Sequence, residues 1–149
     1  MESFQSQSYF KLKGKFEIKH IRDGKVIDRR VIDNLITNAG MAAVAGLVLT
    51  DVSVNDFDYI AIGTDNTAAA AANTALGAEI TTGGGARAAG TGTRVTTSVT
   101  NDTAQLVVTY NFTSSFAVVE SGVFNAASVG DLLARQVFST INVANGDSP

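Results

Sequence analysis

The stretch YFKLKGKFEIKHIRDG, residues 9–24, decides how the chain is read. Phe10, Leu12, Phe16 and Ile18 occupy even positions, while Lys11, Lys13, Lys15, Glu17 and Lys19 occupy odd ones. Side chains alternate across a β-strand, so residues 9–21 predict a half-buried strand with one apolar and one charged face. The charged face also discourages unwanted edge pairing. Asp23-Gly24 supplies the positive-φ pair of a tight hairpin turn. Residues 25–33 form the returning strand, with Ile27 and Val31 on one side and Val26 and Ile32 on the other.

Downstream the pattern changes. Thr37 or Asn38 offers a helix cap, and Met41, Val44, Leu47 and Val48 recur at helical spacing. This predicts one short helix over residues 38–49 whose large apolar residues face the core. FDYIAIG (57–63) reads as a buried strand ending at glycine. Residues 64–92 are rich in Ala, Thr and Gly, whose short side chains bury little area, and they read as a flexible excursion. Strand follows strand thereafter: 93–100 and 105–113 around the turn pair Asn101-Asp102, then 116–124 and 132–143 around a loop containing Gly130. The expectation is a mainly β fold, an antiparallel sandwich or small barrel with an N-terminal hairpin and one packed helix. Residues 1–9 are a polar arm, and residues 10–149 a single β-rich domain.

Composition narrows the function classes. The 149 residues are 45% hydrophobic and 17% charged, against about 25% charged in an average domain. That balance excludes a disordered charged tail. The longest apolar run, residues 39–49, is shorter than the ~20 residues of a membrane helix, and residues 1–10 lack the layout of a secretory signal. With no cysteine, thiolate metal sites and disulfides are excluded. Residues 1–40 carry a net +3 and residues 41–149 a net −6. Interleaved acids dilute the basic segment and no stacking aromatic lies on its lysine face, which disfavours nucleic acid.

The candidate chemistry is sparse. His20 is the single histidine and reads as a satisfied residue at the end of the first apolar face. No serine sits in a nucleophile-elbow pattern. GGGARAAGTG (83–92) matches neither phosphate-loop spacing and reads as flexible loop. Asp51, Asp56 and Asp58 lack the spacing of a calcium loop. No catalytic residue, cofactor or metal is expected.

Several phrases in order resemble a family of small structural proteins of tailed bacteriophages: NLITNAGM (34–41), YIAIGT (59–64), TALGAE (74–79), VESGVFN (119–125), LARQVF (133–138) and INVANGD (141–147). The resemblance spans residues 10–147. It implies a virion component, either a capsid decoration (cement) protein or a tail-fibre or baseplate appendage. For a decoration protein the partners are further copies of the chain, as a trimer, and the major capsid protein; for an appendage they are tail proteins. Members of that family continue past the GD pair into one more strand. Here that strand is absent, supplied by a neighbouring chain, or outside the sequence. The residues expected to make contacts are those of the arm and basic strand: Phe4, Tyr9, Phe10, Lys11, Lys13, Lys15 and Lys19.

Overall fold

The computed structural model describes residues 5–7, 9, 11–49 and 53–147. The fold is mainly β, with 43% strand and 9% helix. Strands β1 (Gly14–Arg22) and β2 (Lys25–Ile36) form the leading hairpin, followed by helix α1 (Asn38–Leu49) and β3 (Tyr59–Gly63). Then come β4 (Ala88–Ala89), β5 (Thr91–Val95), β6 (Thr103–Val107), β7 (Phe116–Phe124) and β8 (Leu132–Val143). Six strands join in the order β1-β2-β8-β7-β3-β4, all neighbours antiparallel, and the sheet curls into a half-barrel. Strands β5 and β6 form a separate two-stranded sheet.

The hairpin follows its sequence pattern. Asp23 and Gly24 take φ of 49° and 71°, the two positive values of the expected turn. Phe16 is buried and Ile18 half-buried, while Lys15, Glu17 and Lys19 face outward. The first strand begins at Gly14, however, not at Tyr9. Gly14 pairs with Asn34, and the next residues of β2, Leu35 and Ile36, turn to Arg135 and Ala134 of β8. Lys11 and Lys13 therefore precede the strand, and β2 runs three residues past its expected end at Asp33.

Helix α1 has the expected bounds. Thr37 caps it, its Oγ1 accepting the Gly40 N–H at 3.0 Å and donating to the Leu132 carbonyl. Its facing differs from the expectation. Gly40, Ala43 and Gly46 are the buried residues, whereas Met41, Val48 and Leu49 are 49%, 60% and 69% exposed. The helix lies so close on β8 that a Cβ at Gly40 would collide with the Leu133 backbone. Close approach thus selects the small-residue stripe; Met41, Leu47, Val48 and Leu49 point away from the core, and Val44 is half-buried.

The two faces of the large sheet are covered differently. On one, Ile62, Val118, Phe138, Ile141 and Val143 pack with Ile18, Ile32, Tyr110, Phe112 and Phe116. On the other, Ala61, Phe124 and Leu132 pack with Leu76 from the alanine-rich tract. That tract is not a loose excursion. Thr64 N–H donates to Ala78 O at 2.9 Å, Ile80 N–H donates to Ile62 O at 2.9 Å, and Leu76 and Ile80 are buried. Backbone pairing and two large anchors do what its short side chains cannot.

Candidate functional site

Beyond the ion pairs within the leading hairpin, charged side chains of the described residues meet in three places, and each meeting fastens one part of the chain to another. Beneath the alanine-rich tract, Glu120 of β7 and Arg135 of β8 lie on one sheet face, two residues apart diagonally in the register. The Glu120 carboxylate accepts Arg135 Nε at 2.8 Å and the N–H groups of Gly77 and Ala78 at 3.1 and 2.8 Å. Arg135 also donates to Asn73 Oδ1 at 3.1 Å and to Asp65 Oδ2 at 3.4 Å. Gly63 is required opposite, because a Cβ there would strike the Glu120 carboxylate. In the sequence the two residues stand within VESGVFN (119–125) and LARQVF (133–138). A lone charge in a strand ordinarily marks a solvent face, and nothing local told that these two face inward.

The second meeting is Arg87 with Glu79. Nε and Nη2 donate to the carboxylate at 2.9 and 2.6 Å, Nη1 donates to the carbonyls of Ala126 and Val129, and the guanidinium lies 3.5 Å over the Phe124 ring.

At the third, Asp147 accepts Arg22 Nε at 2.7 Å and Nη2 at 2.8 Å, and lies 2.8 Å from His20 Nε2. The Arg22 hydrogen bonds, then the His20 contact, hold the Asp147 carboxyl well below the usual carboxylate range. His20 is thereby tied to a carboxylate 127 positions away. Among the described residues no serine hydroxyl bonds to it; Ser121 Oγ donates instead to the Ala61 carbonyl at 3.1 Å.

Between the apolar face of the half-barrel and the segment after β6 lies a cavity of about 460 Å³. Its walls include Phe16, Ile18, Ile62, Phe138 and Ile141, with Leu106, Val108 and Tyr110 opposite. Tyr110 donates to the Ile60 carbonyl at 2.7 Å, and burial, assisted by the Glu79 charge, pushes its phenol pKa up. Asn34 also lines this space, but its Oδ1 is buried without a donor against Gly14, where a Cβ would strike it. Among the described residues no group of three His, Asp or Glu side chains is placed to hold a metal ion, and no helix is long and apolar enough to cross a membrane. Asp51 lies outside the described residues.

Of the expected contact residues, Lys15 and Lys19 line this cavity; the other described ones do not. Phe4 and Phe10 lie outside the described residues. Tyr9 is 84% exposed and donates only to Gln7, and Lys11 and Lys13 are exposed ahead of β1. Lys15 stands 3.8 Å from Asp33 and Lys19 3.3 Å from Glu17. The lysine face is thus interleaved with acids from its own hairpin. The surface feature missed in sequence is the outward apolar face of α1, because the same residues also satisfy an inward helical pattern. No protein-family model, curated protein or solved structure matches the chain.

Proposed function

We propose that this chain is a structural protein of a tailed-bacteriophage virion, a decoration protein that sits on the capsid shell and clamps adjacent major capsid subunits, with its own copies assembled as a trimer. The carrying observation is helix α1, apolar on both sides. Its glycine and alanine stripe serves the fold, and Met41, Val48 and Leu49 remain outward. A helix apolar all round belongs in an interior, and here the interior is the assembly. The ordered phrases that resemble phage structural proteins favour a virion as that assembly.

The charged groups support a structural role rather than catalysis. Glu120, Glu79 and Asp147 each accept from an arginine; Glu120 reaches the alanine-rich tract, the partner of Glu79 reaches the carbonyls of residues 126 and 129, and Asp147 reaches β1. In this reading the arm of residues 1–9 and the segment bearing Lys11, Lys13, Lys15 and Lys19 make secondary contacts with neighbouring subunits.

Add-back to particles stripped of the protein tests the proposal. The wild-type chain should bind the shell and raise its disruption temperature. The Met41→Gln/Val48→Gln variant, equally folded, should bind more weakly. A chain that ignores shells and co-purifies with isolated tails would overturn the shell assignment in favour of a tail appendage.

A further inference from the structure

The cavity has a telling border. Residues 15–21 line it without a break on one side, and residues 105–110 without a break on the other. A strand that offered a single face would contribute alternate residues. An unbroken run means that the backbone edge itself borders the space. Among the described residues β1 pairs on one side only, with β2, and β6 on one side only, with β5. The gap therefore lies between two strand edges, one of the half-barrel and one of the two-stranded sheet.

We propose that this gap is a receptor groove for one extended β-strand donated by a partner polypeptide, which pairs with β1 on one edge and with residues 105–110 on the other and so closes the half-barrel. This deepens the assembly reading and rests on it for the origin of the donor, while the groove stands on its own geometry. Strand addition of this kind draws affinity from main-chain hydrogen bonds and specificity from alternate side chains. The stretch of β1 that borders the gap, seven residues long, spans about 23 Å at strand rise.

The border states the chemistry of the occupant. Phe16 and Ile18 face the apolar interior, so alternate residues of the donor are apolar. On the outer side β1 presents Lys15, Glu17 and Lys19, while residues 105–110 carry no charge. Like charges directly across a strand pair are destabilising, so the outward residues of the donor are neutral, or acidic opposite Lys15 and Lys19. A second copy's residues 9–13, with Lys11 and Lys13 on alternate positions, would set lysine beside lysine and are the poorer fit.

The probe is a fluorescent peptide, Thr-Val-Thr-Val-Glu-Val-Thr-Val, titrated against the purified chain by anisotropy, with amide exchange as the second readout. Saturable binding is expected, with new protection confined to β1 and residues 105–110. N-methylation of alternate peptide amides, in either phase, should weaken binding about tenfold or more, because each phase removes the hydrogen bonds to one edge. A peptide with lysine at the outward positions should also bind more weakly. Absence of binding, equal binding of the N-methylated forms, or protection elsewhere would overturn the groove. A self-associated chain that the peptide dissociates would overturn the partner donor and assign the strand to a second copy. Each outcome is read on the isolated chain, so it is separate from whether the protein decorates shells.

Discussion

Arg135 donates through Nε to the Glu120 carboxylate at 2.8 Å across the β7–β8 pair, with only 2% and 0% of the two side chains reaching solvent. The pair holds down a tract that has little apolar area of its own. Two backbone N–H groups of that tract end on Glu120, and its Asn73 and Asp65 side chains end on Arg135. Removing one partner leaves the other buried without its counter-charge, which costs about 3–5 kcal/mol. Glu120→Leu should lower unfolding stability by about that amount, read from the urea midpoint. The double variant Glu120→Leu/Arg135→Met should lose less than the sum of the two single changes. Limited proteolysis of the single variant should begin within residues 64–80. Additive losses with an intact tract would contradict this account.

The two sides of helix α1 should respond oppositely to substitution. Gly40→Val forces a side chain into the Leu133 backbone, and overpacking of this kind costs about 1–3 kcal/mol. Met41→Gln and Val48→Gln touch the outward face and should stay within about 0.5 kcal/mol of wild type in the isolated chain. Thermal unfolding of the three variants checks both statements together.

Asp147 provides the pH prediction. Its carboxyl pKa is depressed in the folded chain by Arg22 and His20, so the folded state holds the charged form more strongly than the unfolded state does. That contribution is fully present above the ordinary carboxylate range and is lost as pH falls below about 4. Stability of the wild type should therefore drop more steeply on acidification than that of Asp147→Asn, whose curve is lower at neutral pH and flatter in acid. Parallel urea midpoints for the two proteins from pH 6 to pH 2.5 would contradict it.

Deletion of residues 1–9 should leave the domain folded, because the described core begins at Phe16. The melting temperature of the isolated chain should be nearly unchanged. Retention on particles should fall, as expected of an arm that reaches a neighbouring subunit. Unchanged retention and unchanged protection of the particle would remove the arm from the account.

Legibility in the sequence followed the range of the forces involved. Alternation from Phe16 to Lys19 and the Asp23-Gly24 turn are local, and the hairpin was readable from them. Likewise the bounds of α1, β7 and β8 follow from nearby caps, breakers and periodicity. Facing was harder to read. Met41 and Val48 satisfy a helical pattern whichever way the helix rolls, and only the close approach at Gly40 to Leu133 decides it. The Glu120–Arg135 pair and the Asp147 contacts join residues 15 and more than 120 positions apart, so their geometry exists only after the sheet has formed. The gap beside β1 lies between the edges of β1 and β6, which are far apart in sequence, and no local pattern reports an unpaired edge.

Copy number in purified virions, measured against the major capsid protein, separates a chain that covers the capsid shell from one that sits on the tail. The account predicts a number comparable to that of the major capsid subunits, fixed by the symmetry of the shell. A small fixed number, set by the tail, would contradict it.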